Sequence, residues 1–390
     1  MSCSSRICIG TNEITLRRRH FLFHFDKKKR TVVFKDERGV VGAVTDTDST
    51  ITGSEESGDL STTAEKVRLP HDQSGLLWFE DQPTSLFLAS IDRWAQALLQ
   101  DDGFNPIGPS NLTVRARVVA KQAGTLCGVH VVNRLLDIHL PHINRAWQTR
   151  EGGHFQQDDV ILILDGTPRD ILAVERIILN FLGRLSGIAT NTEQWVKVLG
   201  GMKVASTRKT TWGILDKWAV HVGGGFTHRL RKGDAAMIKE NDHIALREGD
   251  EGRAKETMKR WIMSTDFSYH GAFTVIEVDS ISLALTVAKT WCNRMMETEE
   301  DRSLVIMLDN MGPTKTKEAV MDLRSHGYNE WIYTEASGNI RFEDLEDWKG
   351  TGADIISTSG LNMGVSSIDL SMLLDEDGIR ENNSQKTNSN

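Results

Sequence analysis

The chain has 390 residues, 46 basic and 54 acidic side chains, and a net charge of −8. That length holds two domains with a sizeable core, and the acidic balance argues against nucleic-acid binding while leaving room for a local basic pocket. Cys3, Cys8, Cys127 and Cys292 are scattered, with no CxxC pair and no metal-spaced histidines, which argues against a disulfide framework or structural zinc and for a cytoplasmic compartment.

In chain order, Arg17–Arg19 and Lys27–Arg30 flank Phe21–Phe25 without the apolar core of a secretory signal. Thr45 to Ala64 is rich in Ser, Thr, Asp, Glu and Gly, a composition that cannot bury enough surface to offset ordering entropy. Residues 1–82 therefore read as a disordered extension, and a chain begun near Ser85 is expected to be fully active. No apolar run reaches the length of a membrane span.

Phe87, Ile91, Trp94, Ala95 and Leu98 recur at helical spacing. Leu112 to Ala120 alternates apolar and basic residues, as a half-buried strand does. Val160–Leu164 predicts another strand, closed by Asp165-Gly166. Thr167-Pro168-Arg169-Asp170 resembles a capping box with proline at the first helical position. The helix it opens carries Ile171, Val174, Ile178, Phe181, Leu182 and Leu185 on one stripe. Residues 86–188 thus predict an N-terminal α/β domain.

From Thr190 onward, predicted strands at Lys203–Ser206, Ala235–Ile238, Phe273–Val278, Leu304–Leu308, Trp331–Thr334 and Asp354–Ser357 alternate with helical patterns. That alternation predicts a parallel sheet, open or closed into a barrel, over residues 189–374. Residues 375–390 read as a disordered tail.

Polar residues follow these strands at steps of about one βα unit: Thr207-Arg208-Lys209-Thr210, Lys239, Glu277, Asp309-Asn310, Glu335 with Ser337-Gly338, and Ser357 to Gly360. In a βα barrel the carboxyl ends of the strands share one mouth. Arg208, Lys209, His228, Arg229 and Lys239 beside Glu277 and Asp309 suit a highly anionic substrate handled with Mg²⁺. Singly, the Arg-Lys pair reads as solvated surface, Gly223-Gly224-Gly225 as a flexible loop, and the two acids as helix caps. Only the joint arrangement points to a site.

At these same positions the chain resembles the quinolinate phosphoribosyltransferases. The resemblance rests on Glu175 to Leu182 with Ser186 to Thr190, Thr207-Arg208-Lys209-Thr210, Ala219-Val220, Gly223-Gly224-Gly225 and His228-Arg229. It continues through Val275 to Val278, Leu308-Asp309-Asn310, Glu335 to Gly338 and Asp354 to Ser357. It covers about Leu86 to Leu373 and implies an α/β N-terminal domain packed on an open, irregular, TIM-like α/β barrel. It also implies a homodimer in which Arg176 reaches the partner's site. By the same resemblance Arg208, His228, Arg229 and Lys239 bind the quinolinate carboxylates, and Lys209 lies near pyrophosphate or ribose. Glu277 and Asp309 hold ribose hydroxyls and Mg²⁺, and Ser337-Gly338 with Ser359-Gly360 cradles the 5′-phosphate. Lys239, Glu277 and Asp309 are the catalytic candidates. The implied reaction joins quinolinate to phosphoribosyl pyrophosphate, giving nicotinate mononucleotide, CO₂ and pyrophosphate, with no nucleic-acid or membrane partner.

The chain departs from the family pattern at Trp212, at Thr227, across Lys239 to His243 (where Asn241 and His243 lose their register), at Asn339, and from Gln100-Asp101-Asp102-Gly103 to Thr113. Three rival readings remain. One is a nicotinate or molybdenum-transport-associated transferase on the same barrel. Another is a Schiff-base enzyme using Lys239. The third is a catalytically silent binding paralogue.

Overall fold

The computed structural model describes residues 69–106, 108, 112–239, 242, 254–267, 271, 273–328 and 331–375, with strand segments between residues 8 and 45 and at 380–381. The chain divides into two units, Met1–Lys66 and Val67–Asn390. In the first, β1 (Cys8–Gly10), β2 (Glu13–Arg18), β3 (Phe21–Asp26), β4 (Thr31–Asp36) and β5 (Val41–Thr45) form an antiparallel meander in sequence order. These strands lie within the segment 1–82 expected to be a disordered extension, whose low-complexity stretch over residues 46–64 lies outside the described residues. Short runs such as Thr31-Val32-Val33-Phe34 suit strands because β-branched and aromatic side chains fit a pleated surface.

The second unit begins well before Leu86. A short 3₁₀ turn at Ser74–Leu76 and a two-stranded ribbon, Trp78–Phe79 with Gln82–Pro83, lead into helix α1 (Ser85–Asp101). Leu77 is fully buried there, so a chain begun near Ser85 would lose part of the core. Thr84 caps α1, its Oγ1 accepting the Phe87 N–H at 3.4 Å.

Strands β6 (Leu112–Ala120), β7 (Asn144–Trp147) and β8 (Val160–Gly166) form an antiparallel sheet in the order β7-β8-β6, with helix α2 (Val129–His139) between β6 and β7. The chain's last long strand, β15 (Leu370–Leu374), returns to pair antiparallel with β6 rather than joining the C-terminal sheet. Asp375 follows it, pairing with Arg117 at 2.6 Å, and Arg380–Glu381 also pairs with β6. The tail expected to be unstructured from residue 375 thus contributes to this sheet at both points.

Helix α3 (Pro168–Leu199) starts at the expected cap, where the Thr167 hydroxyl accepts the Asp170 N–H at 3.2 Å. It runs for 32 residues, straight through the domain boundary expected at Ile188. Its small residues permit close packing: a Cβ on Gly187 would lie 2.3 Å from the Ser366 carbonyl oxygen. The chain leading into β15 lies against that face, with Ile368 N–H donating to Gly183 O at 2.9 Å.

Beyond α3 come β9 (Lys203–Ser206), α4 (Ile214–Val222), β10 (Ala236–Ile238), α5 (Ala254–Ser264), β11 (Thr274–Val278), α6 (Ile281–Thr298), β12 (Leu304–Asp309), α7 (Gly312–Ser325), β13 (Ile332–Ser337), α8 (Leu345–Lys349) and β14 (Ile355–Thr358). The six strands form one parallel sheet in the order β9-β14-β13-β12-β11-β10. Its two edges do not pair with each other; Phe226 adds a parallel bridge outside Ala205. This is the open, irregular α/β barrel. The strands are mainly apolar and buried, Leu304–Leu308 throughout, as expected where helices cover a parallel sheet.

Candidate active site

All six parallel strands end at one mouth, and a cavity of about 860 Å³ opens there. Its wall includes Thr207, Arg208 and Lys209 after β9, Lys239 after β10, Glu277 on β11, Asp309-Asn310 at the end of β12, Ser337-Gly338-Asn339 at the end of β13 and Ser357 to Gly360 at the end of β14. His228 and Arg229 line it too. The register explains the convergence: Asp309 lies beside Ser337, and Lys203 to Ser206 run beside Ile355 to Thr358. Every site residue expected from the sequence reaches this cavity except Arg176, which is exposed on α3 outside it. Asn241 and His243 lie outside the described residues.

The loops are fastened to one another. Asn362, buried, donates from Nδ2 to Lys209 O at 2.6 Å and accepts from Ser206 Oγ at 3.2 Å. That ties the TRKT loop to the loop after β14. Asn191 of α3 donates to the carbonyls of Gly360 and Leu361, both at 3.0 Å. Gly338 has φ +92°, and a Cβ there would meet Asn310 Oδ1 at 2.3 Å. Next to it Asn339, where the family pattern has glycine, also takes a positive φ of 51°. Its amide Nδ2 donates to the same Asn310 oxygen at 3.1 Å. Asparagine tolerates that conformation, so the turn survives the departure. Gly223 to Gly225 are also not a flexible loop: a Cβ on Gly223 would sit 2.4 Å from Ala189 O, so the glycines press the turn after α4 onto α3.

Positive charge dominates the pocket. Arg208 and Lys209 are exposed at the mouth, and Arg229 is half-buried. Burial, then the neighbouring Arg208 guanidinium, draws the Arg229 pKa below its ordinary value. Lys239 Nζ pairs with Glu277 at 3.0 Å. The Asp309 carboxylate accepts from Ser337 Oγ and Asn310 Nδ2, each at 2.6 Å.

Beneath the mouth lies a buried layer in which Lys217 was not singled out by the sequence. Lys217 on α4 is 1% exposed and donates to Ser206 O at 2.5 Å and Thr227 O at 2.7 Å. Burial, then Arg208 and Arg229, hold its pKa well below the ordinary lysine range. Its sequence signal was a lysine, next to Asp216, inside the largely apolar run Ile214 to Val222. Glu335 on β13 is fully buried. Burial alone would raise its pKa; the His228 imidazole, and hydrogen bonds from His228 and His71, reverse this and keep it well below the usual carboxylate range. His228 lines the pocket but spends both ring nitrogens on the protein. Its Nδ1 accepts the Arg229 N–H at 2.8 Å, so the ring proton sits on Nε2, 3.1 Å from Glu335 Oε2. Burial lowers its pKa, keeping the imidazole neutral.

Two family models match the chain: the quinolinate phosphoribosyl transferase N-terminal domain over residues 97–186 and its C-terminal domain over 188–373. The chain belongs to the quinolinate phosphoribosyl transferase family. A probable nicotinate-nucleotide pyrophosphorylase [carboxylating] of Methanothermobacter thermautotrophicus is 32% identical over 296 residues, 72% of this chain and 98% of that protein. The chloroplastic enzyme of that name from Arabidopsis thaliana is 30% identical, over 68% of this chain and 76% of its own length. Among solved structures, NadC from Streptococcus pyogenes superposes with a TM-score of 0.61 at 30% identity, over 75% of this chain and 99% of that one. Family membership places the convergent strand ends in the family's barrel, and it agrees with the two-part fold seen here. No described helix is long and apolar enough to cross a membrane.

Proposed function

We propose that this chain catalyses decarboxylating phosphoribosyl transfer, joining quinolinate to phosphoribosyl pyrophosphate and releasing CO₂ and pyrophosphate, a step of pyridine nucleotide and NAD biosynthesis. The observation that carries the reading is the gathering of Arg208, Lys209, Arg229 and Lys239 in one cavity opposite Glu277 and Asp309. A dicarboxylate ring and a pyrophosphorylated sugar repel each other in water. Guanidinium and ammonium groups preset on rigid strand ends offset that repulsion and hold both anions at attack distance.

Arg208, Arg229 and Lys239 carry the ring carboxylates, and Lys209 faces the pyrophosphate. The pyridine nitrogen displaces pyrophosphate at C1 of the ribose, which gains oxocarbenium character. Glu277 and Asp309 face that developing positive charge and the ribose hydroxyls. The quaternised ring then withdraws electrons from the 2-carboxylate. CO₂ leaves, and the ring carbanion takes a proton. The turns at Ser337-Gly338 and Ser359-Gly360 line the cavity and face the 5′-phosphate. His228, with both nitrogens engaged, fixes the backbone of Arg229 rather than gripping a carboxylate itself.

The donor set suits Mg²⁺, which takes one or two carboxylates and completes its shell with water and substrate phosphate oxygens. Asp309 and Glu277 would hold it, and when bound it supplies charge for the departing pyrophosphate. We further propose a cytoplasmic homodimer in which Arg176 of one protomer enters the other's cavity; its exposed position on α3, outside its own cavity, supports this. The buried thiols of Cys127 and Cys292 suit a reducing compartment.

The deciding assay supplies quinolinate labelled in the 2-carboxylate together with phosphoribosyl pyrophosphate. One CO₂ should appear per mononucleotide, activity should fall on chelation of divalent cations, and Arg229→Ala should lose about 100-fold or more in kcat/KM. Turnover of nicotinate with no CO₂ from quinolinate would overturn the substrate, and an unaffected Arg229→Ala would overturn the site.

A further inference from the structure

His71 stands outside the barrel in sequence and inside it in space. It belongs to the short segment before α1, at a position the sequence assigns to a leader. The residue is fully buried, and its Nε2 lies 3.0 Å from Glu335 Oε2. That oxygen is the one His228 also binds, at 3.1 Å. The His71 ring meets His228 edge-on at 5.0 Å between centroids and lies 5.6 Å from Phe273. A second tie runs beside it: Gln73 N–H donates to Thr227 Oγ1 at 2.9 Å, and that hydroxyl donates to His228 O at 3.0 Å. The segment is itself held in shape, with Gln73 Nε2 donating to Pro70 O at 2.8 Å.

Among the described residues, His71, His228 and Glu335 are the group whose donor atoms converge closely enough for a metal ion. The tautomer argues against that use. Arg229 N–H occupies His228 Nδ1, so Nε2 carries the proton and has no lone pair to offer. The carboxylate is instead the common acceptor of two imidazole N–H groups. Such a pair of donors keeps a buried carboxylate ionised and fixes its orientation.

Resting on the proposed transfer reaction, we infer that His71 is a positioning residue of the site. It holds Glu335, which holds His228, whose Nδ1 in turn fixes the backbone of Arg229 at the cavity wall. The segment ahead of the first helix is therefore part of the machinery that presents the carboxylate-binding cation.

The test uses the full chain and separates ring volume from hydrogen bonding. His71→Phe keeps an aromatic ring but removes the donor. It should raise KM for quinolinate about tenfold, the scale of one charge-assisted hydrogen bond, and leave KM for phosphoribosyl pyrophosphate within about twofold. His71→Gln restores an N–H donor and should recover most of that loss. If His71→Phe does not fold, Thr227→Val removes the parallel tie at nearly constant volume and should show the same selective rise. A variant that folds with both KM values unchanged overturns the inference, as does a loss that His71→Gln fails to recover. Absence of quinolinate turnover by the unaltered chain would defeat the proposed reaction instead, a result distinguishable from either.

Discussion

Lys217 sits 1% exposed, its ammonium donating to Ser206 O at the end of one strand and to Thr227 O just before His228. A buried cation is costly unless its donors are satisfied. Here two carbonyls supply partners, while Asp216 and Glu335 lend negative charge. Lys217→Met fills the same volume but strands both carbonyls. It is expected to cost about 2–4 kcal/mol of stability, readable in urea denaturation with an unchanged m-value. A loss below about 0.5 kcal/mol would show that the carbonyls find other partners. Most site residues that face substrate were legible because they follow an apolar strand at a repeating step, whereas Arg229, between α4 and β10, was marked by the Gly223-Gly224-Gly225 to His228-Arg229 motif. His71 and Asn362 were not, since no local pattern marks a residue that acts only by reaching across 264 positions to Glu335 or 156 to Ser206.

Among the elements, α3 does the most joining. Its start was readable from Thr167, Pro168 and the apolar stripe, because capping and helical periodicity are local. Its role as a spine shared by both parts of the fold was not. The face carrying Gly183 and Gly187 is shaped for the chain entering β15, which lies about 180 residues later. Gly187→Ala places a Cβ 2.3 Å from Ser366 O, against backbone that cannot swing aside. The expected outcome is a loss of about 3 kcal/mol and increased amide exchange along Leu370–Leu374. Unchanged exchange in that strand would show that the contact does not hold it. Likewise the pairing of β15 with β6 has no signal in Leu370-Ser371-Met372-Leu373-Leu374, a mainly apolar run that names no neighbour.

At the scale of the whole molecule, burial sets the response to acid. His130, His221 and His228 all have pKa values lowered chiefly by burial. In the unfolded chain they titrate near about 6.5. Below that pH the unfolded state binds protons that the folded state declines, so stability falls as pH falls until the depressed folded values are reached. Melting temperature should therefore drop steadily from pH 7.5 to pH 5.5. Glu335 acts in the same direction at lower pH: its lowered pKa supports the fold above the ordinary carboxylate range, and that contribution fades only in stronger acid. A flat melting temperature across that interval would mean the histidines are not held neutral.

The sequence alone determined the alternation of strands and helices, the strand-end positions of the chemistry and, through its motifs, the family. Each of these is written in short-range periodicity or in contiguous residues. Tertiary structure decided which distant groups share a carboxylate, that the segment before Ser85 reaches Glu335 and Thr227, and that the chain's end joins the sheet of β6. It also assigned strands to Cys8–Thr45, where composition had suggested none. These features depend on packing and hydrogen bonds between residues far apart in the chain, whose energies no local pattern records.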